Sequence, residues 1–224
     1  MPPAATSDDA PKGYTQAMIT GFNVPARVGE AVLETKGSRF YARAAPIEGE
    51  QDVQALLATA RAAHPDANHH AYAYRLGPTG EAARFSDDGE PGGTAGRPIM
   101  ENLLRAELVN IAVVVSRHFG GTLLGAGGLV RAYGGAAAEA IRAAGDIRMR
   151  PHTRLRVTVD YGLLGALEQE VRRLGLRAPE MAYGERVTLT ALVPTDDVAP
   201  FQARVRDLSS GQAEALVEGT VCAE

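Results

Sequence analysis

The sequence predicts an α+β chain of two domains, and three observations support this. Stretches with the two-residue alternation of strands are interleaved with stretches of helical spacing along the 224 residues. The pattern changes at Pro151, from an irregular, glycine-rich mixture to a regular βαββαβ succession. A length of 224 residues also suits one or two hydrophobic cores.

Residues 1–20 are rich in Pro, Ala, Ser and Asp without periodicity and are expected to be a disordered tail. Residues 21–150 are assigned to a first domain. In it, EAVLETKGSRFYARAAPI, ending at Ile47, is expected as two strands turning at Lys36-Gly37. EQDVQALLATARAA, residues 50–63, places Val53, Leu56, Leu57 and Ala60 on one helix face, and His64-Pro65 ends it. HHAYAYRLG, from His69, alternates as a strand, and RFSDDGEPGGTAGRP, from Arg84, reads as a polar loop. PIMENLLRAEL is a short helix with apolar residues at 99, 100, 103 and 104. Asn110 to Ser116 is a buried strand, and residues 129–144 form the last helix.

The second domain is assigned to residues 151–224. RLRVTVDY is a strand, and GLLGALEQEVRRLG is a helix closed by Gly175. LRAPEMAY and RVTLTALV pair across Gly184-Glu185. Thr195 or Asp196 is expected to cap a helix through DVAPFQARVRDLS, and QAEALVEG is a short final strand. This βαββαβ order is the ferredoxin-like pattern.

Composition narrows the class. The chain is 45% hydrophobic and 22% charged, as soluble globular proteins are. No apolar run approaches the roughly 20 residues of a membrane helix. The first residues lack the basic region and apolar core of a signal peptide. The single cysteine, Cys222, falls in an expected tail, which excludes an intramolecular disulfide framework and a cysteine zinc cluster. A cytoplasmic location is expected, with no membrane partner. The net charge of −4 argues against a bulk nucleic-acid binder, but the charge is uneven. Residues 97–150 carry seven arginines against four acidic residues, whereas residues 1–96 carry eight basic against twelve acidic, and residues 151–224 eight against eleven.

The net-positive segment contains RHFGGTLLGAGGLVRAYGG, residues 117–135, with seven glycines. A loop leaving a strand and entering a helix presents N–H groups at the positive helix end, where anions bind. Gly120, Gly121, Gly125, Gly127 and Gly128 would let a phosphate approach, Arg117 and Arg131 would clamp it, and His118 stands at the entrance. The alternative is that the glycines serve tight turns and close packing. GAGGLV fails the dinucleotide fingerprint at its last position, and no G-K-[ST] follows.

Three further groups are candidates. Asp87, Asp88 and Glu90 could hold Mg²⁺, or could form a turn and partner Arg97 and Arg117; the turn is preferred, and no metal or cofactor is assigned. His69 and His70 are adjacent on a strand, so at most one faces any site. His70, sharing a face with Tyr72, Tyr74 and Leu76, is taken as a candidate beside the alternative of a core or interface residue. In KGSRF, Lys36, Ser38 and Arg39 near a hairpin turn could touch phosphate or form an exposed polar turn. No nucleophile–base set is identifiable, so no catalytic residue is assigned.

KGSRF, HHAYAYRLG, RFSDDGEPGGTAGRPI and NIAVVVSRHFGGTLLGAGGLVRAYGGAAAEAI, in this order, resemble the IMPACT family in its bacterial, YigZ-type two-domain form. The resemblance covers roughly residues 25–145, with the C-terminal part similar on weaker grounds. Two positions depart from the family pattern: His118 stands where a Tyr is usual, and Leu123 where a Lys is usual. The resemblance implies an N-terminal α/β sandwich like domain 2 of ribosomal protein S5, and a C-terminal domain like those of elongation factor G. Eukaryotic members regulate translation under amino-acid starvation by competing for the activator of a translation-factor kinase. The implied role here is a translation-linked binding protein whose glycine-loop face takes RNA, the ribosome or a translation-associated protein. Two alternatives remain open at this stage: an enzyme acting with Mg²⁺ on a phosphorylated small molecule or nucleotide, and a protein–protein adaptor.

Overall fold

The computed structural model describes residues 21–224, so the expected tail over 1–20 lies outside the described residues. Along the chain run β1 (Phe22–Pro25), β2 (Gly29–Thr35), β3 (Ser38–Pro46), α1 (Glu50–Ala63), β4 (His69–Leu76), β5 (Ala82–Ser86), α2 (Gly96–Arg105), β6 (Ile111–His118) and α3 (Ala126–Ala144). They continue with β7 (Asp146–Val159), α4 (Tyr161–Arg173), β8 (Glu180–Tyr183), β9 (Val187–Pro194), α5 (Val198–Leu208) and β10 (Ala215–Ala223). The result is a mixed α+β architecture with two antiparallel sheets.

The first sheet has the order β2-β3-β6-β4-β5. Its central strand β6 is buried from Ile111 to Arg117, which explains its unbroken apolar run. Ile111, Val113 and Val115 pack on one face with α2 and α3, while Ala112 and Val114 pack on the other with α1. The β2–β3 turn places Lys36 at φ 47° and Gly37 at φ 80°, the two-residue turn that matches strand twist. Helix α3 lies close on the sheet because both sides are small. It presents Ala132, Ala136, Ala140 and Ala144, and a Cβ at Gly29 of β2 would collide with the backbone of Ala140 and Ala144.

The second sheet has the order β1-β7-β9-β8, with β10 also paired to β7 beyond the end of β1. Leu155, Val157, Leu189 and Val193 form its packed face against Leu167 and Val171 of α4 and Phe201 and Val205 of α5. Gly175, at φ 65°, closes α4 as expected: its N–H donates to the Arg172 carbonyl at 3.0 Å, and the Leu176 N–H to the Val171 carbonyl at 3.1 Å.

Several expectations are corrected. Strand β7 runs through Pro151 without a break: β1 pairs with residues 146–149, and β10 with residues 150–157. Pro151 falls between the end of the β1 pairing at Met149 and the start of the β9 pairing at His152, so one flank needs no donor from it. Cys222 lies in β10 opposite Pro151 and not in a tail. The stretch expected as loop from Arg84 begins as β5, because β4 offers that segment a pairing edge. Helix α3 begins at Ala126, three residues earlier than expected. Leu104 of α2 faces solvent, unlike Ile99, Met100 and Leu103. Neither Thr195 nor Asp196 caps α5. Both sit in a 3-10 turn, and Asp197 occupies the N-cap position without a side-chain bond.

Candidate functional site

The glycine-rich segment joins β6 to α3 and is pinned at two points. The Gly120 N–H donates to Ser38 Oγ at 3.1 Å, and the Phe119 N–H to Asn68 Oδ1 at 2.8 Å. Gly120 presses on the β2–β3 turn so tightly that a Cβ there would collide with the Gly37 carbonyl group and the Ser38 nitrogen. Ser38 is fully buried and so acts as a strut. Gly121 and Gly125 hold φ of 82° and 69°, which glycine adopts without penalty. Helix α3 then starts with Gly125 as N-cap and no side chain capping its first N–H groups. A cavity of about 340 Å³ opens beside this helix start, with Lys36 and Arg131 among its walls, next to Gly128 and Glu34. Arg39 is exposed on the adjoining strand and pairs with Glu34 at 3.4 Å.

Arg117 takes a different position. It is only 6% exposed and donates from Nη1 to Glu90 Oε1 at 2.6 Å. The same oxygen accepts the Tyr133 hydroxyl at 2.7 Å. The Arg117 guanidinium lies over the Phe40 ring at 5.5 Å and the Phe119 ring at 5.6 Å. Burial, followed by the bond to Glu90, raises the Tyr133 pKa far above the phenol range, so its hydroxyl stays protonated. The expected Arg117–Arg131 clamp is therefore not built. Arg117 is committed inward, and it lines a separate cavity of about 270 Å³ with Asn68, His69, Phe119 and Leu123.

The three acidic residues diverge. Asp87 accepts N–H bonds from Gly93 at 2.8 Å, Ala95 at 2.9 Å and Gly96 at 2.8 Å. Burial alone would raise its pKa, but these three donors outweigh burial and lower it. Asp87 thus caps α2 from outside, since the N-cap residue Ala95 cannot. Asp88 accepts the His70 N–H on Oδ2 at 2.6 Å, and its carbonyl faces His69 Nδ1 at 2.7 Å. Glu90 turns inward to Arg117. Among the described residues no cluster of three His, Cys, Asp or Glu side chains has metal-binding geometry.

His70 and His118 belong to the opposite face of the sheet. His70 Nδ1 lies 2.8 Å from Ser116 Oγ. His118 meets the Tyr41 ring edge-on at 5.5 Å, and Tyr41 stacks on His64 at 4.2 Å. Burial lowers the pKa of both His70 and His64, so these rings favour the neutral form. Arg97 lies exposed on α2 and pairs with Glu101 at 3.0 Å. The fold thus brings Lys36 and Arg131 together at the α3 start, and sends Arg117, the two histidines and Arg97 elsewhere.

Sequence reasoning missed Asn68, His69, Phe119 and Tyr133 around Arg117. Strand alternation showed that one of His69 and His70 must face each side. The register, His69 opposite Arg117 and His70 opposite Ser116, decides which.

Comparison with known proteins agrees with this architecture. Residues 36–141 match the Impact N-terminal domain, and residues 157–212 match a domain of unknown function, DUF1949. "IMPACT family member YigZ" of Escherichia coli (strain K12) is 36% identical over 195 residues, covering 86% of this chain and 96% of that one. "IMPACT family member in pol 5'region" of Thermus thermophilus is 42% identical over 176 residues, covering 78% and 95%. "Protein IMPACT homolog" of Dictyostelium discoideum is 37% identical over 101 residues, 28% of its own length. A crystal structure described as "an hypothetical protein" superposes with a TM-score of 0.61 at 36% identity, covering 89% of this chain and 98% of that one. With 36% identity along 96% of the Escherichia coli member, and a match of residues 36–141 to the Impact N-terminal domain, this chain belongs to the IMPACT family.

Proposed function

We propose that this protein is a translation-linked binding protein that takes an RNA phosphate backbone on its glycine-loop face. One observation carries the reading: Lys36 and Arg131 wall one cavity beside the uncapped start of α3. Unpaired helix-start N–H groups and two cations are complementary to phosphate oxygens. Arg39, on the same hairpin, extends the cationic surface. The strand order β10-β7-β9-β8, with both helices on one face, supports a ferredoxin-like second domain. The S5-like assignment of the first domain rests on the family resemblance.

Binding of a fluorescent structured RNA is the test, measured across a salt series for the wild type, Lys36→Ala and Arg131→Ala. Wild-type affinity falls as salt rises, and each substitution lowers the log–log slope by about 1. Absence of salt-sensitive RNA binding, together with no co-sedimentation with ribosomes, overturns the reading.

A further inference from the structure

The cavity floored by Arg117 is chemically distinct from the phosphate-facing surface. Arg117 spends one guanidinium nitrogen on Glu90, and its buried Nε has no acceptor among the described residues. A buried donor left unmet is costly, and its fork geometry suits planar acceptors. Asn68 spends Oδ1 on the Phe119 N–H, while its Nδ2 donor has no acceptor among the described residues. His69 has Nδ1 on the Asp88 carbonyl, which can only accept. Its proton therefore sits on Nδ1, leaving Nε2 as an acceptor in the neutral ring. That atom is 3.9 Å from Glu90 Oε1, beyond hydrogen-bond reach. The cavity thus offers a donor at Asn68 and an acceptor at His69 over the Arg117 guanidinium, whose Nε is sealed from solvent.

Charge decides between ligands. Glu90 already neutralises Arg117, and the Asp88 carboxylate, which accepts the adjacent His70 N–H, adds a negative charge nearby. No excess positive charge remains for a carboxylate or phosphate. A neutral planar group carrying both an acceptor and a donor fits better. The wall supplies a surface for it: Phe119 is 46% exposed and Leu123 is 82% exposed, both on the glycine-rich loop. The volume of about 270 Å³ lies just below the usual range for drug-sized ligands, and suits a single ring system.

We infer that this cavity receives one unstacked nucleobase of single-stranded RNA, laid on Phe119 with its edge toward Asn68 and His69. The inference rests on the RNA reading above and adds a base site to it. Aromatic stacking of splayed bases with hydrogen bonds to their edges is how proteins recognise single-stranded RNA. Leu123 extends the apolar rim and adds no cation to the loop.

The experiment compares an unstructured eight-nucleotide RNA with a duplex of equal length, by fluorescence anisotropy, for the wild type, Phe119→Ala and Phe119→Tyr. Melting curves confirm that each variant is folded. Phe119→Ala is expected to weaken single-strand binding about five-fold or more, with recovery in Phe119→Tyr. Its duplex affinity and salt slope stay at the wild-type values. In ¹⁵N spectra, the Asn68 side-chain amide and His69 Nε2 shift with the single strand and not with the duplex. If both RNAs bind alike and Phe119→Ala changes neither, the base site is refuted while the phosphate surface stands. If neither RNA binds, both readings fall. A response of Asn68 and His69 to acetate or glutamate without one to RNA overturns the base site in favour of a carboxylate pocket.

Discussion

Removing the Glu90 carboxylate tests the interior of the first domain. It accepts from Arg117 at 2.6 Å and from Tyr133 at 2.7 Å, and all three side chains are buried. Glu90→Ala strands the Arg117 charge among Phe40 and Phe119 and leaves the Tyr133 hydroxyl without its acceptor. Breaking one side of a buried ion pair costs roughly 3–5 kcal/mol. At about 2–4 °C per kcal/mol for a chain of this size, the first domain should melt roughly 6–20 °C lower. Urea and thermal titrations followed by circular dichroism measure this. A second variant isolates the cause: Glu90→Leu with Arg117→Met removes the stranded charge together with the carboxylate. Apolar replacement of a whole buried pair is close to neutral, so the double variant should regain most of the loss. A Glu90→Ala cost below about 1 kcal/mol, or a double variant weaker than the single one, would refute the claim that the pair is a buried and coupled unit.

Gly120→Ala should cost roughly 1–3 kcal/mol in urea unfolding, because the added Cβ meets rigid backbone at Gly37 and Ser38; a neutral substitution would mean that the loop does not seat on the turn. Asp87 has a lowered folded pKa, so its stabilisation is present above the unfolded value near 3.9 and is lost as the pH falls through the folded value. The stability gap between wild type and Asp87→Asn should therefore close below about pH 4, and a gap constant to strongly acidic pH would contradict the capping role. Gly127→Ala should raise stability by up to about 1 kcal/mol yet weaken RNA binding in the same preparation; gain or loss in both together would separate Gly127 from any binding role.

What was legible in the sequence was local. The Lys36-Gly37 turn follows from the two positive φ values that a two-residue hairpin requires. Helix α1 follows from the spacing of Val53, Leu56, Leu57 and Ala60, all of them buried. What stayed hidden depends on distant pairing. Strand β7 is 14 residues long because β1, β9 and β10 each supply partners to part of it, and nothing near Pro151 announces them. Arg117 reads as a loop-flanking cation until Glu90, 27 positions earlier, is brought beneath it. Tyr133 reads as one residue of an alanine-rich helix until its hydroxyl reaches Glu90 across 43 positions. Asp87 looked like one of three equivalent carboxylates, but only the fold assigns it three backbone donors while Glu90 takes a guanidinium.

The glycines of residues 117–135 now separate by cause. Gly120 is pressed against the hairpin turn, Gly128 would meet Leu124 at 3.0 Å, Gly135 would meet Leu33 at 3.2 Å and Gly134 would meet Asn102 at 3.4 Å. Gly121 and Gly125 hold left-handed backbone. Packing or conformation therefore accounts for five of the seven, since the contact at Gly134 is an ordinary van der Waals one. Gly127 has neither reason: its backbone is ordinary helix, and a Cβ there would meet nothing nearer than Arg131 Nη1 at 3.6 Å. Glycine inside a helix costs roughly 0.5–1 kcal/mol against alanine, and no contact of the folded chain offsets that cost here. The position is the second of α3, beside the cavity that Lys36 and Arg131 wall. A bare backbone at a helix start is what lets an anion reach the N–H groups. Gly127 is thus a glycine whose presence folding leaves unexplained, and it alone of the two such positions stands at the α3 start, where a ligand would explain it.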